Sequence, residues 1–124
     1  MELKLCESDH RFMNIIWDNE PIPSGTLVEK CAEILGWKKS TTYTTLRKLC
    51  QKGVAVNESS VVRALVPREA VQLYESAHVV DRSFSGSLPA FIAAFTSVRP
   101  LTDDEVQEIQ TLISQSREAG HHEH

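Results

Sequence analysis

Prolines and glycines punctuate residues 1–67 so closely that only short elements fit between them. Pro21 and Pro23 bracket Ile22, Gly36 and Gly53 each follow an apolar-periodic stretch, and Pro67 ends a run rich in valine. Proline removes a backbone donor and clashes with a helix that tries to continue, so a helix arriving from the N-terminal side stops before Pro21. Glycine enters the left-handed region freely and turns the chain tightly after a helix.

Between these marks the apolar spacing supplies the elements. Segment 8–18 reads as a helix capped by Ser8, with Asp9 in its first turn and Phe12, Met13, Ile16 and Trp17 on one face. Ile22 has room only for a short extended bridge. Segment 24–35 is a second helix, with Leu27, Val28, Cys31, Ile34 and Leu35 inward. Segment 39–52 is a third. At about 100° per residue, Thr42, Thr45, Leu46 and Leu49 share one side, and Ser40, Thr44, Arg47 and Gln51 lie opposite. Thr41, Tyr43 and Lys48 flank them. Val54–Val56, a turn at Asn57–Ser60 and Val61–Val66 read as a β-hairpin.

The remainder is helical. Leu73, Ala77, Val80 and Phe84 make the stripe of segment 68–84, and Leu88, Phe91, Ile92 and Phe95 that of segment 88–97. Pro89 is tolerated because it falls in a first turn. Thr102-Asp103-Asp104-Glu105 is a capping box that opens a last helix bearing Val106, Ile109, Leu112 and Ile113. The tail Gly120–His124 is expected to fray.

Charge is distributed unevenly along this layout. The 124-residue chain has a net charge of −4, which by itself argues against a nucleic-acid partner. Residues 1–67 are nevertheless net +1 and residues 68–124 net −5. No acid lies between Glu33 and Glu58, an interval that holds Lys38, Lys39, Arg47, Lys48 and Lys52. An acid-free basic window in an acidic chain is the footprint of an anion-binding face, and a solvated helix face is the plainer alternative.

Helix, extended bridge, helix, tight turn, helix and hairpin is the layout of a winged helix-turn-helix. The expected fold is therefore mainly α: a winged-helix domain over residues 1–67, then a helical dimerisation region with a frayed tail over 68–124. An α-helix fits the major groove, where its outer face must offer hydrogen-bonding groups to base edges. Lysines and arginines neutralise phosphates. Ser40, Thr41, Thr44 and Arg47 are placed nearest the bases, Lys38, Lys39 and Lys48 on phosphates, and Tyr43 against sugar or a thymine methyl. Arg63 is the cation of the hairpin. The C-terminal helices each carry one apolar stripe and form no large core among themselves, so Leu88, Phe91, Ile92, Phe95, Val106, Ile109 and Ile113 are assigned to a homodimer contact, with packing back on their own winged helix as the plainer alternative. A winged helix that binds protein as an adaptor, without DNA, is the alternative reading.

Other classes are excluded. There is no Gly-rich phosphate loop, no paired carboxylates in a pocket-like context and no nucleophile with a base, so an enzyme is not expected. The three cysteines, Cys6, Cys31 and Cys50, are odd in number and widely spaced, which fits reduced thiols in the cytoplasm rather than a disulfide framework. No apolar run spans a bilayer and Met1–Cys6 does not resemble a signal peptide, so membrane insertion is not expected either. His121, His122 and His124 are terminal and have no fixed partner ligands. Neither a metal nor another cofactor is expected.

Several landmarks occur together in order. They are Ile16-Trp17, the run Gly36 to Leu46, Leu49 to Val54, Asp81 to Leu88, and Leu101 to Ile109. By these the chain resembles the penicillinase-repressor (BlaI/MecI/CopY) family over nearly its whole length. The resemblance implies a cytoplasmic dimeric transcriptional repressor whose winged helix binds a palindromic operator and whose C-terminal helices interlock with a second copy. In members of the antibiotic-resistance type it also implies a membrane sensor-protease system that triggers cleavage between an Asn and a Phe in the penultimate helix. The matching pair here is Ala94-Phe95. The copper-responsive branch has clustered cysteines near its C-terminus, whereas the last cysteine here is Cys50. Members often carry Gly-Arg at the wing tip, where this chain has Ser60-Val61.

Overall fold

Helix boundaries fall where the punctuation residues put them. In the computed structural model, which describes residues 3–122 and the side chains of 3–119, the order is α1 (Glu7–Asn19), β1 (Ile22–Pro23), α2 (Ser24–Leu35), α3 (Lys39–Gln51), β2 (Ala55–Glu58), β3 (Val61–Ala64), α4 (Arg68–Ser83), α5 (Leu88–Val98) and α6 (Asp103–His122). No described helix is long and apolar enough to cross a membrane. Contacts divide the chain into two units, Met1–Val79 and Val80–His124, and the division falls within α4.

In the first unit, α1 starts earlier than expected. Cys6 occupies the cap position, and Ser8 lies inside the helix with its Oγ 3.3 Å from Cys6 Sγ. Glu7 and Asp9 stand in the first turn, where negative charge suits the helix dipole, so the start needs no hydroxyl cap. α2 ends on Gly36 at φ 70°, with its amide on Ala32 O at 3.1 Å and the Trp37 amide on Cys31 O at 3.2 Å.

The hairpin is tighter than the sequence reading. Only Ser59 and Ser60 form the turn, at φ 51° and 64°, so Asn57 and Glu58 continue β2 and pair with Val62 and Val61. Two successive left-handed residues give a turn whose twist matches that of the strands it joins. The bridge at Ile22 is itself a strand. It pairs antiparallel with β3 in the register Ile22↔Val62, giving a three-stranded sheet in the order β1-β3-β2.

Phe12, Met13, Ile15, Ile16, Leu27, Cys31, Leu46, Leu49 and Val62 fill the core between the three helices and the sheet. One expected inward position is corrected. Ile34, in the last turn of α2, is 57% exposed although it shares the helix side of the buried Leu27 and Cys31. On α4, Leu73 is 72% exposed and Val71 is fully buried. Val71, Tyr74, Glu75 and His78 share one side of the helix at about 100° per residue, opposite the Leu73 stripe. The start of α4 is held to α1. Arg68 Nη2 donates to Asp18 Oδ1 at 2.6 Å and to Asn14 O at 3.3 Å, and its guanidinium lies 5.3 Å from the Trp17 ring. Trp17 Nε1 donates to Val66 O at 3.0 Å.

In the second unit, Ser87 caps α5 by accepting from the Ala90 amide at 3.1 Å, and Phe84 meets Phe91 edge to face at 5.4 Å. The capping box forms as expected. Thr102 Oγ1 accepts from the Glu105 amide at 3.1 Å, and Glu105 Oε1 accepts from the Thr102 amide at 2.9 Å. Arg99 clasps both oxygens of Glu105, each at 2.9 Å. These bonds hold the Glu105 carboxyl down to a pKa of about 2, first through Arg99 and then through the Thr102 amide. α6 remains helical to His122, past the Gly120 where fraying was expected.

Candidate nucleic-acid interface

α3 is seated by its inner face. Leu46, Leu49 and Thr42 are buried, and Thr42 Oγ1 donates back to Lys38 O at 3.2 Å. Trp37, just before the helix, stacks on Phe12 with centroids 5.7 Å apart and planes 13° apart. This seating turns Ser40, Thr41, Thr44 and Arg47 outward, all exposed, with exposed Lys38 and Lys39 at the helix start. No acid occupies the first turn. The amides of that turn have no partner within the helix and point the same way, so hydroxyls, free N–H groups and cations converge on one end.

The remaining assigned residues are placed differently. Tyr43 is half-buried, and its hydroxyl lies 3.4 Å from Ser24 Oγ, which ties it to α2. Beside it a groove of about 410 Å³ runs between α3 and the hairpin, lined among others by Tyr43, Arg47, Val56 and Asn57. Lys48 Nζ donates to Asp9 Oδ1 at 2.7 Å. Arg63 Nη2 lies 3.3 Å from Glu58 Oε2, so the one cation assigned on the hairpin shares its charge with a neighbour. Asp9 was legible only as a helix-start residue. No local signal marks it as the partner of a lysine three elements away.

On α5 and α6 the structure brings most of the assigned apolar residues together. Leu88, Phe91, Ile92, Phe95, Ile109 and Ile113 line a single apolar cavity of about 380 Å³, with Arg99 and Glu105 at its edge. Val106 is exposed and stands outside that lining. No side chain among the described residues of the second unit is fully buried.

No group of three metal-ligating side chains occurs among the described residues. The side chains of His121 and His122, and all of His124, lie outside them. Burial pushes the Cys31 and Cys50 thiols above their ordinary pKa, away from the reactive thiolate.

Three helices, a hairpin wing and an outward-facing third helix define a winged helix-turn-helix protein, here followed by further helices. A model of the penicillinase repressor family matches residues 5–115, and the chain belongs to that family. Membership points to a DNA-binding transcriptional repressor, a regulator rather than an enzyme. No curated protein matches the chain.

Proposed function

We propose that the protein is a sequence-specific transcriptional repressor that acts in the cytoplasm as a homodimer on a palindromic operator. The outer face of α3 carries this reading: exposed Ser40, Thr41, Thr44 and Arg47, flanked by Lys38 and Lys39, with no acid in the helix's first turn. Hydroxyl and guanidinium groups read base edges, and the lysines and free amides hold the phosphates on either side. The uncovered apolar side chains of α5 and α6 support the dimer, because two copies would remove them from water. A two-fold dimer presents two α3 helices to half-sites about one helical turn apart, or a multiple of it.

The test is titration of a labelled duplex carrying the promoter upstream of the protein's own gene, at several salt concentrations. Salt-dependent binding that prefers this duplex to a scrambled one supports the repressor. Absence of salt-dependent binding to any duplex refutes it and leaves the protein-adaptor reading.

A further inference from the structure

One cation on the flank of α3 has its partner inside the fold. Asp9 exposes only 3% of its side chain, yet Lys48, 39 residues further along the chain, reaches it at 2.7 Å. The Arg63–Glu58 pair on the hairpin is different, with 50% and 66% of the two side chains exposed. An exposed pair is worth little, and its loss costs the fold little. The Asp9 pair joins a half-exposed Lys48 to a buried carboxylate. If Lys48 left for a phosphate, a buried carboxylate would remain without a counter-charge, and removing one partner of such a pair is strongly destabilising.

The position of the pair matters as well. Lys48 lies in the last turn of α3, and Asp9 in the first turn of α1. The apolar seats of Leu46 and Leu49 hold α3 against the core but are non-directional, so they resist separation better than rotation. A charge-assisted hydrogen bond is directional and fixes the rotation. Turning a helix of ~6 Å radius by about 20° moves its outer atoms by about 2 Å, enough to break hydrogen bonds to base edges. The bond to Asp9 also raises the Lys48 pKa.

We propose that Lys48 is a positioning residue rather than a phosphate contact: it stays on Asp9 in the DNA complex, and the pair sets the rotation of α3 that aligns Ser40, Thr44 and Arg47 with the bases. This rests on the repressor reading above.

The test compares the full chain with Lys48→Gln and with Asp9→Asn/Lys48→Gln, on the promoter duplex and a scrambled duplex. The single variant strands the Asp9 charge, and the double variant replaces the ion pair by two amides that can still hydrogen-bond. As a strut, Lys48→Gln lowers the promoter-to-scrambled affinity ratio by about tenfold and leaves the slope of log K on log salt unchanged. The double variant recovers the ratio. A loss of stability alone would lower the active fraction and leave the ratio intact. A phosphate contact would instead lower the slope by about 0.9 per protomer in both variants, which overturns the proposal. An unchanged ratio in Lys48→Gln, or no recovery in the double variant, overturns it too. If Lys48→Gln fails to fold, the double variant still reads both quantities. Wild-type protein with no preference for the promoter overturns the repressor reading along with this one, whereas wild-type preference with lowered variant slopes overturns this one alone.

Discussion

Replacing Lys39 by alanine should flatten the salt dependence of DNA binding, with the larger loss of affinity at low salt. The magnitude follows from which cations are free. Of those assigned to DNA, Lys48 is held by Asp9 and Arg63 by Glu58, and Arg47 belongs to the base-facing side. Lys38 and Lys39 remain at the start of α3, both exposed and without an acid partner among the described residues. Two copies supply about four phosphate contacts, and at about −0.9 per contact the slope of log K on log salt is about −3.6. A fourfold rise in salt then weakens wild-type binding about 150-fold, whereas Lys39→Ala, with a slope of about −1.8, loses only about 12-fold. Fluorescence anisotropy of the labelled promoter duplex between about 50 and about 200 mM salt measures both slopes. Equal slopes for the two proteins refute the placement of Lys39 against phosphate. A wild-type slope of about −7 would refute the counting, because it requires Lys48 and Arg63 to reach phosphates as well.

The other expectations concern separate parts of the chain. Arg47→Ala should cost about 1–3 kcal/mol on the preferred duplex and relax sequence preference there, and an equal loss on every duplex would reassign Arg47 to phosphate. The 13.9 kDa chain should sediment at about twice its mass at micromolar concentration, and Phe91→Glu or Ile109→Glu should return it toward the mass of one chain. A wild-type monomer, or a dimer indifferent to both changes, removes the C-terminal interface. The Glu105 carboxyl should titrate near its depressed pKa of about 2, as followed by side-chain carbonyl chemical shift. Because the folded value lies below the ordinary 4.5, its contribution to stability is present above pH 4.5 and is lost as pH falls toward about 2. Arg99→Gln should move that midpoint up, and an unmoved midpoint would show that the amide of Thr102 alone is responsible.

Much of this architecture is legible in the chain because its causes are local. Pro21 ends α1, Gly36 ends α2 and the Thr102–Glu105 box opens α6 through backbone chemistry that acts within a few residues. The faces of α3 follow from helical periodicity alone, which is why the exposed row of Ser40, Thr44 and Arg47 could be read before any packing was known. Local misreadings have local reasons: acids in the first turn let α1 begin without Ser8 as its cap, and two left-handed serines shortened the hairpin turn.

Where two faces of one helix compete for burial, or where a partner lies far along the chain, periodicity has nothing to decide with. The sequence by itself determined the number and order of the helices, the wing, the outward row on α3 and the acid-free basic window. Only the tertiary structure decided that Val71 rather than Leu73 enters the core and that Ile22 joins the sheet as a third strand. It also decided that Asp9 captures Lys48 and Glu58 occupies Arg63. A charge total counts ions along the chain, whereas phosphates meet only those ions that folding leaves unpaired, and pairing depends on distances that close when the chain packs.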